Sequence, residues 1–242
     1  YGRARPRADL RRRDTEALAP ALPLAGRDAP RPLDVTERGL TFLVELGAGL
    51  STGLFTDQRD GRSRVRAAAN GARLLNLFCY TGSFTVAAAA GGAAETVSVD
   101  LSASALRGLN RNLAANGLSG PRHRVLREDA LRYLPRARRR GERFDLVVLD
   151  PPSFGTRGQG TFSVERDHAR LLEDALAVTA PGGALLAVTH HRGVTAEGLA
   201  VRVRSLGAAA GHEGLTAEPL RPPPDHPDVE HGARSVWARV VG

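Results

Sequence analysis

A doubly wound, Rossmann-like α/β fold with a mostly parallel sheet is predicted by three stretches of this 242-residue chain. They are Leu74–Gly92 (LLNLFCYTGSFTVAAAAGG), Thr96–Asp100 (TVSVD) and Phe144–Pro152 (FDLVVLDPP). The first reads as a short buried strand that turns tightly into an alanine-rich helix. A helix that starts this way presents backbone N–H groups to a phosphate or a carboxylate. The second is an apolar strand ending in an acid 24 positions after Asn76. In doubly wound folds an acid about 20 residues past the first turn holds ribose hydroxyls. The third is an apolar run stopped by Pro151 and Pro152, which fix the backbone at the sheet edge where open α/β sheets bind ligands.

The remaining elements follow in order. Residues 1–32 form a segment rich in Arg and Pro, readable as a solvated linker or as a source of phosphate contacts. Residues 33–62 carry alternating Val35, Leu40, Phe42, Val44 and Leu46 around Arg38-Gly39, a hairpin signal. Arg62, Arg64 and Arg66 continue onto a helix that leads to Asn70-Gly71. From residue 63 to 242 strand and helix alternate. Strands are expected at Leu74–Phe78, Thr96–Val99, His123–Arg127, Phe144–Leu149 and Gly183–Thr189. Helices are expected at Ser83–Ala90, Ser102–Ala115, Ala130–Arg140, Ser163–Thr179 and Thr195–Leu206. Thr81, Gly82 and Ser83 are groups able to cap the first of them. Late strands near Glu213–Pro219 and Ser235–Val241 add an antiparallel edge pair. Such alternation means a sheet covered on both faces. Gly155–Gly160 (GTRGQG) reads as a flexible loop that orders on substrate, with Arg157 near a phosphate.

Composition narrows the function. Apolar residues make up 42% of the chain, enough for one substantial core. The net charge of +8 suggests a polyanionic partner. All 34 cationic side chains apart from histidine are arginine, a pattern that a GC-rich genome also produces. One cysteine excludes an internal disulfide and a cysteine-cluster metal site. No apolar run reaches the roughly 18 residues of a membrane span, and no signal peptide is visible. A cytoplasmic protein is the expectation. With no Met and a start at Tyr1, the chain reads as trimmed or as the C-terminal part of a longer product.

TGLFTDQRDGR, LLNLFCYTGSFTVAAAAGG, VSVD and LDPPSF, in this order, resemble class I S-adenosylmethionine-dependent methyltransferases. More closely, they look like bacterial methyltransferases of 23S ribosomal RNA, in which one subfamily makes 7-methylguanosine and another 5-methylcytosine. The resemblance covers about Asp34 to Gly193. It implies S-adenosylmethionine as cofactor, S-adenosylhomocysteine as product, ribosomal RNA as partner, and neither metal nor membrane. It also implies that the hairpin end closes over the cofactor through Phe55, Asp57 and Arg59. Arg59 would meet the cofactor carboxylate or an RNA phosphate. Asn76, Phe78, Tyr80, Thr81, Gly82 and Ser83 would surround the methionine part. Asp100 would accept from the ribose, with Leu101 and Ser102 beside the adenine. Asp129, followed by Ala130, would accept from the adenine amine and also suits a helix N-cap.

Asp150, Pro151, Pro152 and Phe154 stand where amino-directed methyltransferases carry their Asn/Asp-Pro-Pro-aromatic motif. Asp150 would orient the target base and Phe154 would stack on it. Carbon-5 methylation of cytosine needs a thiolate to attack the ring. In the resembling enzymes that thiolate follows the strand at Gly183–Thr189, where this chain has His190 and His191. Guanine nitrogen 7 carries a free lone pair and needs alignment but no base. The sequence therefore favours 7-methylguanosine. A 5-methylcytosine enzyme, a small-molecule or protein methyltransferase, and an RNA-binding module with a relic cofactor site stay open. The oligomeric state is not readable.

Overall fold

A computed structural model describes residues 22–23, 25–47, 51–152, 155–157, 160–162, 164–191, 193–226 and 232–241. For 155–157, 160–162 and 164–166 the description is of the backbone alone. A hairpin of β1 (Leu33–Glu37) and β2 (Leu40–Val44) leads through a 3-10 turn at Thr56–Gln58 into α1 (Arg59–Ala68). The alternating part runs β3 (Arg73–Leu77), α2 (Ser83–Ala90), β4 (Glu95–Asp100), α3 (Ala103–Ala115), β5 (His123–Arg127), α4 (Ala130–Arg139) and β6 (Phe144–Leu149). A short pair, β7 (Gly155–Arg157) and β8 (Gly160–Phe162), precedes α5 (Val164–Val178), β9 (Thr179–Thr189) and α6 (Ala196–Ala209). The last elements are β10 (Thr216–Leu220) and β11 (Arg234–Arg239).

Seven strands form one sheet in the order β10-β11-β9-β6-β3-β4-β5. β3 pairs in parallel with both β4 and β6, and β6 with β9. β11 runs antiparallel to β9, and β10 antiparallel to β11. The fold class and the antiparallel edge pair are as predicted. The chain leaves β3 toward β4 on one side and returns to β6 on the other. That reversal opens a crevice at the carboxyl ends of these strands, the standard ligand position in open α/β sheets.

The central strands are apolar on both faces because both faces are covered. Leu75, Leu77, Val97, Val99, Val147 and Leu149 face α4, α5 and α6. Leu74, Leu146, Val148, Leu186 and Trp237 pack with Val65 of α1 and with Phe84 and Ala88 of α2. The β1–β2 hairpin joins a third cluster, in which Leu40 and Phe42 meet Val86, Leu106 and Leu109. Phe42 is 1% exposed, so this contact alone contributes on the order of 1.5–3 kcal/mol. Asn112 of α3 and Asn116, which caps its C-terminal end, hold the hairpin in place. Leu43 N–H donates to Asn112 Oδ1 at 2.9 Å, and Thr41 N–H donates to Asn116 Oδ1 at 2.9 Å. The hairpin turns at Arg38 and Gly39 with φ of 49° and 79°, as a tight primed turn requires.

Several boundaries differ from the sequence reading. β9 begins at Thr179, four residues before the expected Gly183, and pairs there with Phe144 across an irregular register. Phe78, expected to end its strand, leaves it with φ of 57°. Part of the glycine-rich stretch forms the antiparallel β7–β8 pair, with Gly155 opposite Phe162. Thr156, Thr161 and Phe162 favour extended backbone despite the glycines between them.

Candidate functional site

The turn after β3 is shaped by Phe78, Tyr80 and Gly82, with φ of 57°, 49° and 74°. Non-glycine residues in this region are costly, so neighbouring groups must hold them. Asp100, at the end of β4, does so. Its Oδ2 accepts the Tyr80 N–H at 2.9 Å, and its Oδ1 accepts the Ser102 N–H at 2.8 Å. Gly82 has no alternative: a Cβ there would meet Leu109 Cγ at 2.3 Å. No side chain caps α2 at Gly82, contrary to the expectation from Thr81 and Ser83. The Thr81 hydroxyl donates instead to the Gly53 carbonyl. The start of α2, with Ser83 and Phe84, borders a cavity.

That cavity measures about 380 Å³, within the size range of small-molecule sites. It lies at the carboxyl ends of β3, β4, β5 and β6. Of the residues singled out from the sequence, Phe55, Asn76, Phe78, Tyr80, Ser83, Asp100, Leu101, Ser102, Asp129, Ala130, Asp150 and Pro152 line it. Thr81, Gly82 and Pro151 adjoin lining residues in the chain but are not among them. Asp57 points away, accepting the Ala233 N–H at 3.3 Å. Arg59 is engaged by Asp225 through two hydrogen bonds, one of 2.8 Å. Phe154 lies outside the described residues, as does the side chain of Arg157.

The aromatic rings of Phe55 and Tyr80 sit 5.7 Å apart, tilted by 48°. Asn76 is buried, and its Nδ2 donates to Thr85 Oγ1 at 2.9 Å, which in turn lies 2.8 Å from Ser98 Oγ. This polar chain ties β3, α2 and β4 together under the cavity floor. At the far wall Asp129 Oδ1 accepts the Leu131 N–H at 3.0 Å, the expected N-cap of α4. Its neighbour Glu128 also lines the cavity. Arg136 grips both Glu128 oxygens, at 2.5 and 2.6 Å.

Sequence reasoning missed a contact at the centre. His190 Nε2 lies 2.9 Å from Asp150 Oδ1, and both residues line the cavity. Burial pulls the His190 pKa down, but the hydrogen bond and charge of Asp150, with the charge of Asp57, outweigh it, and the net shift is upward. Arg62, placed by the sequence on a helix with Arg64 and Arg66, is only 3% exposed. Its Nε and Nη2 donate to Glu37 at 2.7 and 2.6 Å, and its Nη1 donates to the Phe55 carbonyl at 2.9 Å. Gln58 is buried beside it. Arg62 stands one helical turn before the buried apolar Val65, on the same face of α1, and that spacing was the available signal.

The rest of that arginine run is also engaged within the fold. Arg64 pairs with Glu218 and stacks 4.9 Å from the Trp237 ring, and Arg66 donates to the Arg38 carbonyl at 3.1 Å. Cys79 lines the cavity but is 6% exposed, and burial pushes its thiol pKa well up. A thiol held neutral is a poor nucleophile. Among the described residues no cluster of three metal-ligating side chains occurs, and no helix is long and apolar enough to cross a membrane.

These features can be set beside known proteins. A family model described as S-adenosylmethionine-dependent methyltransferase matches residues 21–238. A ribosomal RNA large subunit methyltransferase K/L of Chromohalobacter salexigens is 48% identical over 161 residues, covering 66% of this chain and 22% of that protein. A ribosomal RNA large subunit methyltransferase K of Neisseria meningitidis serogroup B is 46% identical over 153 residues, covering 62% of this chain and 43% of that one. A solved methyltransferase complexed with SAH superposes with a TM-score of 0.78 at 30% identity, over 90% of this chain and 58% of that one. The chain thus spans less than half the length of these two curated relatives.

Proposed function

The chain belongs to the S-adenosylmethionine-dependent methyltransferase family, and from that premise we propose that it methylates a base of large-subunit ribosomal RNA, at guanine nitrogen 7. The observation that carries the reading is the cavity at the switch point, where Asp100, Asp129 and Asp150 from three strand ends converge. The residues present fit the cofactor. Asp100 uses one lone pair of each oxygen on the turn, and a carboxylate has further acceptor sites for a ribose diol. Leu101, Ala130 and Leu131 give an apolar wall for a purine, with the carboxylate of Asp129 at its edge. The start of α2 and the Tyr80–Ser83 turn suit the methionine end. When bound, S-adenosylmethionine supplies an electrophilic methyl group.

The chain's own residues then have a limited task. Guanine nitrogen 7 has no proton to lose, so the site must align the base and exclude water. Asp150, fixed by His190, holds the base edge, and Pro151 and Pro152 fix the backbone that carries it. A carboxylate there also favours the positive charge that develops on the methylated purine. The buried, protonated thiol of Cys79 supports a nitrogen target over the covalent route to 5-methylcytosine.

The test is a transfer assay with methyl-labelled S-adenosylmethionine. Label should appear in ribosomal RNA and not in free guanosine. RNA affinity should fall by orders of magnitude between about 50 and 200 mM salt if several phosphates are contacted. Flat salt dependence, or equal labelling of the nucleoside, would point to a small substrate.

A further inference from the structure

The strap Ser51–Gln58 borders the cavity and contributes Ser51, Phe55 and Gln58 to its lining. Four consecutive residues, from the strap into the start of α1, are each tied to the C-terminal hairpin. Thr56 Oγ1 lies 3.0 Å from His226 Nε2. Asp57 Oδ2 accepts the Ala233 N–H at 3.3 Å, and Gln58 Oε1 accepts the Ser235 hydroxyl at 3.1 Å. Arg59 donates twice to the Asp225 carboxylate. None of Asp225, His226, Ala233 and Ser235 touches the cavity. Each contact is modest alone. The Arg59 and Asp225 side chains are 29% and 58% exposed, and pairs of that kind contribute little to global stability. Their consequence is local. A strap already held in one arrangement loses less conformational freedom when a ligand closes against it.

We propose that the β10–β11 hairpin is a clasp, and that Asp225 and His226 are positioning residues which set cofactor affinity by holding Phe55 and Gln58 over the cavity. The proposal rests on the reading of that cavity as the S-adenosylmethionine site. It also fixes the sign of an effect. If Asp225 merely competed with a cofactor carboxylate for Arg59, removing its charge would tighten binding. As part of a clasp, its removal weakens binding.

Titration calorimetry with S-adenosylhomocysteine distinguishes the two. The wild-type chain, Asp225→Asn, Asp225→Glu and Asp225→Asn/His226→Ala are compared, each with a thermal unfolding scan. Asp225→Asn should weaken binding by about three- to tenfold, with the unfolding midpoint unchanged. The double variant should weaken it further, and Asp225→Glu should recover most of the loss. In 1 M salt the gap between wild type and Asp225→Asn should close, because an exposed ion pair is screened. Wild-type binding with unchanged or tighter binding by the Asn variant overturns the clasp and leaves the cofactor site standing. Failure of the wild type to bind overturns both.

Discussion

Asp100→Ala should damage the apo fold and the cofactor site together. The carboxylate accepts two backbone N–H groups, from Tyr80 at 2.9 Å and from Ser102 at 2.8 Å. Bonds to a charged acceptor contribute about 1.5–3 kcal/mol each when buried, and less here because Asp100 is half-buried. Tyr80 is meanwhile released from a left-handed conformation at φ 49°, which recovers some strain. A net loss of about 2 kcal/mol follows, or about 4–8 °C in the unfolding midpoint for a domain of this size. Cofactor affinity should fall by a further 1–3 kcal/mol, roughly 5- to 150-fold, if Asp100 is the ribose acceptor we propose. Asp100→Asn keeps one acceptor oxygen and should fall between wild type and Ala in both measurements. Thermal scans and calorimetry with S-adenosylhomocysteine give the two readouts. Unchanged affinity in a folded Asp100→Ala protein would remove Asp100 from the cofactor site. An unchanged midpoint would mean that the turn is held by other groups.

Three further outcomes are expected. Cys79→Ser should keep most methyl transfer, while Asp150→Ala should lose most of it in a folded chain; a covalent adduct with 5-fluorocytosine RNA would reverse this reading. Gly82→Ala forces a Cβ to within 2.3 Å of Leu109 Cγ at φ 74°. It should cost about 2–5 kcal/mol from overpacking and left-handed strain, and a loss below about 1 kcal/mol by urea unfolding would contradict the packing described. His168 is buried, and burial, with the charge of Arg202, lowers its pKa from 6.5 to about 4. The unfolded chain therefore holds more protons between those values. Stability should be full above about pH 6.5 and fall by about 3 kcal/mol as pH drops through 4. His168→Leu should flatten that slope in urea unfolding, and an unchanged slope would place the acid sensitivity elsewhere.

Much of the fold and part of the site could be read from local pattern, and the physical reason is plain at particular residues. Strands buried on both faces give near-continuous apolar runs, so Leu74–Leu77, broken only by Asn76, and Leu146–Leu149 announce themselves. The Asp100 and Asp150 carboxylates stand out because an acid ending such a run has no core to enter. What stayed hidden depends on contacts distant in sequence. The His190–Asp150 contact joins residues 40 positions apart. The Asn112 bond to Leu43 spans 69, and the Arg59–Asp225 pair spans 166. No local pattern reports which acid an arginine will meet. Arg59, expected to meet a cofactor carboxylate or an RNA phosphate, meets Asp225 instead, as Arg62 meets Glu37 and Arg64 meets Glu218 within the chain. Arg62 is the sharpest case, since only the packed hairpin makes its bidentate partner Glu37 available.

Nucleoside mass spectrometry bears most directly on the claim that this site methylates a ring nitrogen of ribosomal RNA. Unmodified large-subunit RNA, incubated with the purified chain and S-adenosylmethionine, should gain 7-methylguanosine and no other new methylated nucleoside. An Asp150→Ala chain should produce far less of it. Appearance of 5-methylcytidine, or of no methylated nucleoside with a chain that binds the cofactor, would contradict the account.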